Sequence, residues 1–296
     1  MEVTIKTRRL TKKFGRHLAL SELDLDVPTG VVFGYLGPNG AGKTTTIRLL
    51  AGLIRPTAGS AMVFGFDAAD QYDALQRRIG YLPGDFAAYP DLTGAQYLRY
   101  LGALRGGVDR SAVELLAKRF DLDLGLRIGS LSRGNKQKIG LVQAFMHEPD
   151  LLILDEPTSG LDPIMQREFL ALLRETRAAG RTVFLSSHIL SEVEAIADTV
   201  AILRAGRLVT TQSVEALKAR ARRRLELTFA GAVPLDRIQR VPGVEDVSAD
   251  GRTAHVVVTG STAELVRTVA PYDVTNLVSH EADLEAVFLD YYVSGS

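Results

Sequence analysis

The chain has 296 residues, of which 46% are hydrophobic, and its 35 basic and 35 acidic side chains leave a formal net charge of zero. This composition is typical of a globular protein with a large core, and the length allows more than one domain. The balanced charge gives no sign of an extended basic surface, so no nucleic-acid partner is expected. Because the chain contains no cysteine, disulfides and thiolate metal sites are excluded.

The apolar segments are too short to span a membrane. The longest runs, LLIL at 151–154 and TVFL at 182–185, have the length of buried strands, whereas a spanning helix needs about 18 or more apolar residues. The opening segment MEVTIKTRRL lacks the apolar core of a secretory signal. We therefore expect a chain that does not cross the bilayer, with the cytoplasm as its default location.

The polarity of residues 3–212 predicts two kinds of β-sheet. Residues 3–27 alternate apolar and polar side chains around the turn-like KKFGRH, which predicts half-exposed antiparallel strands. From Val31 onward, the short apolar runs VVFGYL, LLIL, TVFLSS and TVAIL appear, and most are followed by a helical segment. That alternation is typical of a parallel sheet covered by helices, so residues 31–212 are expected to form an α/β core.

A helical subdomain is predicted inside that core, over residues of about 90–147. This stretch contains no strand-like run. Thr93 with Gln96, and Ser111 with Glu114, have the spacing of a capping box, in which a hydroxyl and a carboxylate or amide close the start of a helix.

The composition changes again at KARARRR, residues 218–224, a run that we expect to be a solvated linker. The segments after it predict the order strand, helix, strand, strand, helix, strand, which favours a ferredoxin-like unit. The predicted domains are therefore residues 1–217 and a small α+β accessory domain over 218–296. Its last segment, DLEAVFLDYYV, predicts a helix with one apolar stripe.

One glycine-rich segment predicts a phosphate-binding loop. GPNGAGKTT fits the pattern G-x-x-x-x-G-K-[ST] and lies between the strand VVFGYL and the helical TTTIRLLAGL. Glycines let backbone N–H groups surround phosphates at a helix N-terminus. Lys43 is placed to reach the β- and γ-phosphates and the Thr44 hydroxyl to bind Mg²⁺. The chain is thus predicted to bind a nucleoside triphosphate through Gly37, Pro38, Asn39, Gly40, Ala41, Gly42, Lys43, Thr44 and Thr45.

Acidic residues end a second buried strand, LLILDEP at 151–157. Asp155 can hold Mg²⁺ there, and Glu156 can act as the general base that polarises the attacking water. Two adjacent carboxylates after a strand can also simply cap the next turn. His188 follows the strand RTVFLSS and could hydrogen-bond the γ-phosphate, although a lone histidine at a strand end is usually structural.

Five motifs together resemble the nucleotide-binding subunit of an ATP-binding cassette (ABC) transporter. They are GPNGAGKTT, LSRGNKQ, LLILDEP, SGLD at 159–162 and SSH at 186–188, and the resemblance covers residues of about 3–215. It implies ATP and Mg²⁺ as cofactors, Phe14 as the aromatic ring that stacks on adenine, and Asp162 as a nucleotide-site residue. The implied catalytic residues are Lys43, Glu156 and His188, and the implied metal ligands are Thr44 and Asp155.

The resemblance also implies a second cassette, of the same or a different chain. In this family two cassettes pair head to tail, so that the helix beginning LSRGNKQKIG covers ATP bound by the partner. The implied contacts are the hydroxyl of Ser132 and the backbone of Gly134, because glycine permits a close approach. A well-capped surface helix is the alternative interpretation of this segment.

Two positions depart from the family's pattern. Residues 131–135 are LSRGN where LSGGQ is common, so Arg133 adds a long cation. Gly84 stands where a glutamine usually follows IGYLP, and glycine has no amide that could reach the metal or the water. Asp85 is the nearest group that could act instead.

Within the family, the single cassette, the segment YPDLTGAQYL and the C-terminal tail resemble the ATPase subunits of bacterial multidrug and antibiotic exporters, including daunorubicin-resistance pumps. This implies a motor that powers drug efflux through a separate membrane permease, at the cytoplasmic face of the cell membrane. The alternatives are a lipid or polysaccharide export cassette, a cassette protein acting on ribosomes or DNA, and a regulatory module that no longer hydrolyses ATP. A single cassette without sustained heptads argues against the second, and Glu156 with His188 against the third.

Overall fold

The computed structural model describes residues 2–220 and 222–280. The chain forms two compact units that divide between Thr211 and Gln212, slightly before the boundary at 217–218 that the sequence predicts. Within the described ranges, no helix combines the length and the hydropathy that crossing a bilayer requires. The predicted apolar stripe of the tail, at Leu284, Val287, Phe288 and Tyr291, lies outside the described residues.

The first unit begins with the predicted antiparallel strands. Strands β1 (Val3–Phe14) and β2 (His17–Pro28) form a long hairpin. Together with β4 (Ala58–Val63) and β5 (Phe66–Asp67) they make a four-stranded sheet in the order β2-β1-β4-β5. The inward side chains of this sheet, Ile5, Leu10, Leu20 and Leu23, belong to the main hydrophobic core, which is why the segment alternates in polarity.

The central sheet has six strands in the order β10-β9-β3-β8-β7-β6. They are β3 (Val32–Leu36), β6 (Ile79–Leu82), β7 (Leu151–Asp155), β8 (Thr182–Ser187), β9 (Thr199–Arg204) and β10 (Arg207–Ser213). The pairs β3–β8, β3–β9, β6–β7 and β7–β8 are parallel. Every residue of β3, β7 and β8 is buried, as expected for a parallel sheet covered on both faces.

Helices follow three strands of this sheet, as the sequence predicts. Helix α1 (Lys43–Leu50) follows β3, α6 (Pro163–Ala178) follows β7 and α7 (Leu190–Glu194) follows β8. Helix α2 (Tyr72–Gln76) lies between β5 of the antiparallel sheet and β6. Because parallel strands end at the same edge of the sheet, the loops after β3, β7 and β8 meet there. That edge carries the phosphate-binding loop, the two acidic residues and His188.

The predicted helical segment contains α3 (Gly94–Leu104), α4 (Arg110–Arg119) and α5 (Arg133–Phe145). Thr93 and Gln96 form the predicted capping box at the start of α3. The capping box predicted for Ser111 is wrong, because the N-cap of α4 is Asp109, two residues earlier, and the helix begins at Arg110. The Asp109 carboxylate accepts from the Ser111 N–H at 3.0 Å and from its hydroxyl at 2.5 Å, so it satisfies the free N–H of the first turn.

The second unit has α8 (Val214–Arg220), β11 (Arg222–Phe229), α9 (Leu235–Gln239), β12 (Val244–Asp250), β13 (Thr253–Thr259), α10 (Ala263–Val269) and β14 (Val274–Ser279). Its four strands pair antiparallel in the order β12-β13-β11-β14. Alternate residues of β11 and β13 point inward and pack with apolar side chains of α9 and α10. We retain the ferredoxin-like assignment as a proposal that rests on this order.

The described residues of the basic run are not a linker, which corrects the sequence-based expectation. Residues 218–220 end α8, and residues 222–224 begin β11, which lies between β13 and β14 in the sheet. The alternation of inward Leu225, Leu227 and Phe229 is a strand pattern that extends back into the arginines. Arg222 then pairs with Glu245 of β12, with Nε and Oε2 2.7 Å apart.

A partly buried polar cluster ties the helical segment to the central sheet. Arg105, which follows α3, donates from Nη1 to the carbonyl of Gln76 at 2.6 Å and lies 3.0 Å from Nε2 of His147. His147 in turn lies 3.1 Å from the carbonyl of Ile79 in β6. Burial, and then the neighbouring Arg105 guanidinium, lower the pKa of His147 from 6.5 to about 4. The imidazole is therefore neutral at physiological pH.

This pKa predicts a loss of stability in acid. Below about pH 6.5 the unfolded chain binds a proton at His147 that the folded chain does not take up until about pH 4, so stability falls as the pH is lowered through this window. We expect His147 to account for about 1 kcal/mol of unfolding free energy between pH ~7 and pH ~5, after a discount for its partial exposure. The measurement is urea unfolding of wild type and His147→Gln at both pH values.

The matched control is His17→Gln, which removes an exposed histidine of β2. This control should lose as much stability on acidification as wild type, whereas His147→Gln should lose less. Equal acid sensitivity of wild type and His147→Gln would contradict the prediction.

Candidate nucleotide site

The phosphate-binding loop, residues 37–42, connects β3 to the first turn of α1. Two of its glycines are required by geometry. A Cβ at Gly37 would lie 2.6 Å from the carbonyl oxygen of Leu203, and Gly42 caps α1 with φ of 106°, a conformation that L side chains rarely adopt. The tip of the loop, Pro38 to Gly40, is exposed. The loop thus packs against β9 and presents its tip and a helix N-terminus to solvent, as an anion site needs.

Lys43 lies under this loop and is only 6% exposed. Its Nζ donates to the carbonyl of Gly37 at 2.6 Å and lies 3.3 Å from Oε1 of Glu156. An ammonium group placed between a phosphate-binding loop and a carboxylate can reach either of them with a small change of rotamer. The structure therefore brings Lys43 and Glu156, two of the three predicted catalytic residues, into direct contact.

Asp155 and Thr44 form the oxygen pair that the sequence predicts as metal ligands. The Thr44 hydroxyl donates to Oδ2 of Asp155 at 2.7 Å, and the carboxylate is 1% exposed. Its other oxygen, Oδ1, accepts from the Ser186 hydroxyl at 2.6 Å. Mg²⁺ prefers a carboxylate and a few other oxygen ligands, so this donor set fits the predicted ion.

Glu156 adopts φ of 49°, a left-handed conformation that is uncommon outside glycine and costs about 1 kcal/mol or more. Its Oε2 lies 2.6 Å from Nδ1 of His188, on the side opposite Lys43. The sequence predicts that His188 contacts the γ-phosphate. Within this chain its imidazole contacts the carboxylate of Glu156, the predicted general base. The structure therefore gathers Lys43, Glu156 and His188 around one carboxylate.

Phe14 ends β1 and is 49% exposed. The ammonium of Lys12 lies 5.1 Å from the centre of its ring, within the range of a cation–π contact. Such a ring can stack on a base, but this arrangement does not itself select adenine. The role of Phe14 stays a prediction.

The start of α5, which carries LSRGN, packs against the SGLD segment of the same chain. Ser132 caps the helix by accepting from the Asn135 N–H at 3.2 Å. A Cβ at Gly134 would lie 2.6 Å from the carbonyl oxygen of Gly160, and Arg133 donates to the Ser159 hydroxyl at 3.0 Å. The identities of these residues therefore have explanations within one chain, and their contacts to a partner stay predictions.

Asp162 also has a role within the chain, as the N-cap of α6. Its carboxylate accepts from the backbone N–H groups of Ile164 and Met165, each at 3.0 Å. The hydrogen bond from Met165 is the main cause that holds the pKa of Asp162 below its usual value. The carboxylate is thus ionised and fixed in direction at neutral pH, whichever ligand lies beyond it.

Several positioning contacts were not predicted from the sequence. Gln137 of α5 is buried and donates from Nε2 to the carbonyl of Pro157 at 3.0 Å, in the loop after the two acids. Glu192 of α7 accepts from the hydroxyls of Thr158 and Ser187. Ser187, at the end of an otherwise apolar strand, could have indicated such a contact from the sequence, because buried hydroxyls require hydrogen-bond partners.

Gly84 approaches the metal-binding carboxylate directly. A Cβ at this position would lie 3.1 Å from Oδ2 of Asp155 and 3.3 Å from its Cγ. The next residue, Asp85, is exposed, and its part in place of the usual amide stays a prediction.

Comparison with known proteins agrees with this geometry. The family model described as "ABC transporter" matches residues 20–159. The bacitracin transport ATP-binding protein BcrA of Enterococcus faecalis is 39% identical over 76% of this chain and 74% of that protein. The chain belongs to the ABC transporter family, as an ATP-binding subunit. The daunorubicin/doxorubicin resistance ATP-binding protein DrrA of Streptomyces peucetius is 38% identical to this cassette over 72% of the chain and 66% of that protein.

Solved structures confirm the fold of the cassette. The ATP-binding subunit of an ABC transporter superposes with a TM-score of 0.67 at 31% identity, covering 73% of this chain and 92% of that chain. A dimeric cassette described as a post-hydrolysis state bound to ADP and Pi gives a TM-score of 0.63 at 23% identity, over 71% of this chain and 98% of that chain. The α/β P-loop fold is thereby confirmed, and the protein is an ABC ATPase.

The contact at Gly84 predicts a specific defect. In Gly84→Ala the added methyl must displace the Asp155 carboxylate, whose Oδ2 accepts from the Thr44 hydroxyl, by a few tenths of an ångström. We expect ATP hydrolysis to fall roughly 3- to 10-fold, because removal of a group that orients a metal ligand typically costs about 10- to 100-fold and this change only displaces the ligand. Binding of ATP in EDTA should not change.

The matched control is Gly231→Ala in the second unit, where an added Cβ meets no atom within 4 Å. It should hydrolyse ATP at the wild-type rate. Full activity of Gly84→Ala at saturating Mg²⁺ and at limiting Mg²⁺ would show that the close contact with Gly84 does not constrain the Asp155 carboxylate.

Proposed function

We propose that this cassette hydrolyses ATP to power the export of antibiotics or other drugs through a separate membrane permease, and that it works as a peripheral subunit at the cytoplasmic face of the membrane. The observation that carries the proposal is the contact of Glu156 with both Lys43 and His188, beside the Asp155–Thr44 pair. The names of the two relatives, which concern bacitracin transport and daunorubicin/doxorubicin resistance, support the class of cargo.

In this proposal each side chain has one task. Lys43 and the N–H groups at the start of α1 neutralise phosphate charge. Thr44 and Asp155 are the oxygens that would hold Mg²⁺, which supplies charge neutralisation at the phosphates when bound. Glu156 accepts a proton from the attacking water. His188, bonded to Oε2, fixes the direction of that carboxylate.

The proposal includes a second cassette, of the same or a different chain. Ser132 is exposed at the N-terminus of α5, where the first N–H groups of a helix have no carbonyl partner within the helix. Ser132, Gly134 and the direction-fixed Asp162 then face the ATP bound by the partner's loop. The dimeric cassette among the solved structures supports this arrangement.

A regulatory cassette without hydrolysis is the second candidate, and only Gly84 favours it. The close contact of Lys43, Glu156 and His188 argues against it, because a chain that only bound ATP would not need a base held by an imidazole. A lipid or polysaccharide exporter shares the whole cassette chemistry. It differs from a drug exporter only in the cargo, and is therefore an outcome of the test in cells.

We expect Glu156→Gln to bind ATP and to lose at least about 100-fold in hydrolysis, because the amide keeps the shape but cannot accept the proton. ATP binding is measured by equilibrium titration and hydrolysis by release of phosphate. In the native host, replacing the gene with Glu156→Gln should lower resistance to peptide or anthracycline antibiotics as strongly as deleting it.

The control is a wild-type copy at equal protein level, which should restore resistance. Hydrolysis by Glu156→Gln at the wild-type rate would show that Glu156 is not the general base. Unchanged resistance, with altered lipid or polysaccharide at the cell surface, would replace drug export by the alternative cargo.

Contacts in trans predict complementation between two inactive chains. Ser132→Arg blocks the signature segment, LSRGN at residues 131–135, and Lys43→Ala disables the phosphate-binding loop, so each homodimer lacks activity. A mixed dimer contains one site that combines an intact loop with an intact signature, and mixing should restore part of the hydrolysis. Phosphate release is measured over a range of mixing ratios, and mixed dimers are verified by pull-down on a tag carried by one chain.

Mixed dimers that form and remain inactive would contradict the trans role of Ser132. Mixing two chains that both carry Lys43→Ala is the control, and it should restore nothing.

A further inference from the structure

Ser186 contacts both acids of the proposed hydrolytic site. It lies in β8, between β3 and β7 in the sheet, and is 0% exposed. Its hydroxyl donates to Oδ1 of Asp155 at 2.6 Å. The backbone N–H of Glu156 lies 3.2 Å from the Ser186 hydroxyl oxygen and 3.3 Å from its carbonyl oxygen. One residue therefore bonds the side chain of one acid and the backbone of the other.

The two bonds of the hydroxyl are compatible with each other. A serine hydroxyl has one proton to donate and two lone pairs to accept with, so it can donate to Asp155 while it accepts from Glu156. Because Ser186 occupies Oδ1, Asp155 has Oδ2 left for the Thr44 hydroxyl. The carboxylate is thereby fixed in rotation, with one oxygen facing β8 and the other facing the phosphate-binding loop.

The bond to Glu156 acts on backbone conformation. Glu156 has φ of 49°, which a residue with a side chain keeps only when its surroundings require it. The acceptors on Ser186 hold the N–H of this residue at the point where the chain leaves β7. This fixes the direction in which the Glu156 side chain departs toward Lys43 and His188.

We propose that Ser186 is a positioning residue for ATP hydrolysis, whose hydroxyl fixes the Asp155 carboxylate and the Glu156 backbone as one unit. This proposal rests on the roles proposed above for Asp155 and Glu156. Outer-shell partners of metal ligands typically contribute about 10- to 100-fold to activity or metal affinity. Ser186 contacts the proposed metal ligand Asp155 in this way and also holds the backbone of Glu156, the proposed general base.

The test compares Ser186→Ala, which removes the hydroxyl, with Ser186→Thr, which keeps it and adds a methyl group in a strand that tolerates β-branched residues. Ser186→Ala should lower kcat about 10- to 100-fold and raise the Mg²⁺ concentration needed for half-maximal rate. Ser186→Thr should stay within about 5-fold of wild type in both measurements.

A fluorescent ATP analogue gives a readout that does not depend on turnover. In EDTA, Ser186→Ala should bind the analogue as tightly as wild type, because Lys43 and the loop are untouched. In Mg²⁺ its affinity should drop toward the EDTA value. The control for loss of a buried hydroxyl is Thr7→Val, since Thr7 is 0% exposed and bonds the carbonyl of Leu23 in the antiparallel sheet. It should keep the wild-type kcat.

The outcomes separate this inference from the proposed function. If Glu156→Gln is inactive while Ser186→Ala keeps the wild-type kcat and Mg²⁺ dependence, the positioning role is wrong and the hydrolytic site stands. Active Glu156→Gln would instead overturn the site itself. Should Ser186→Thr prove as defective as Ser186→Ala at an unchanged urea midpoint, the hydroxyl is not the group that acts, and the proposal fails.

Discussion

A buried carboxylate at the end of β7 is the constraint on which this site depends. Asp155 is 1% exposed, and an ionised group in that position is stable only when its lone pairs are hydrogen-bonded. The two hydroxyls that bond it come from β8 and from the first turn of α1. Both neighbouring elements must therefore keep their register against β7, so the requirements of one side chain fix the relative positions of three segments.

Close backbone approaches complete the arrangement, and they explain two glycines in physical terms. Gly84 lies against the Asp155 carboxylate, and Gly134 lies against the carbonyl of Gly160. In both places a side chain would separate segments that the site needs in contact. Gln137 adds a bond from α5 to the loop after Glu156. Helix α5 is thus hydrogen-bonded to the loop that follows the two acids of its own chain.

The second unit is built on different principles. Its antiparallel sheet buries alternate side chains of β11 and β13, and its outer face carries polar residues such as Arg224, Glu226 and His255. Glu226 lies between two imidazoles, 3.3 Å from His280 and 3.7 Å from His255. The many polar residues after residue 217 are explained by this arrangement, because one face of the sheet packs on the helices and the other face is exposed to solvent.

The sequence by itself determined the elements whose signals are local. Periodicity gave the buried strands, spacing gave the capping box at Thr93, and the pattern G-x-x-x-x-G-K-[ST] placed Lys43 and Thr44 at a helix N-terminus. Local signals misled where two residues compete for one role. Asp109 rather than Ser111 caps α4. The sequence did not separate the two, because either side chain can accept a hydrogen bond from a backbone N–H at the start of a helix. In the basic run, residues 218–220 end a helix and residues 222–224 begin a strand. The sequence did not predict this, because a run of arginines does not show which side chains alternate inward.

Only the tertiary structure decided which distant residues meet. Ser186 and Asp155 are 31 positions apart, and Arg105 and His147 are 42 apart, so no local pattern links them. Their contacts follow from the parallel register of β7 with β8, and from the packing of α3 on α5 and of α5 on β6. The sequence named the chemistry of the site because phosphate binding and metal binding demand particular residue types. The alignment of that chemistry is decided by strand order, which depends on the whole core.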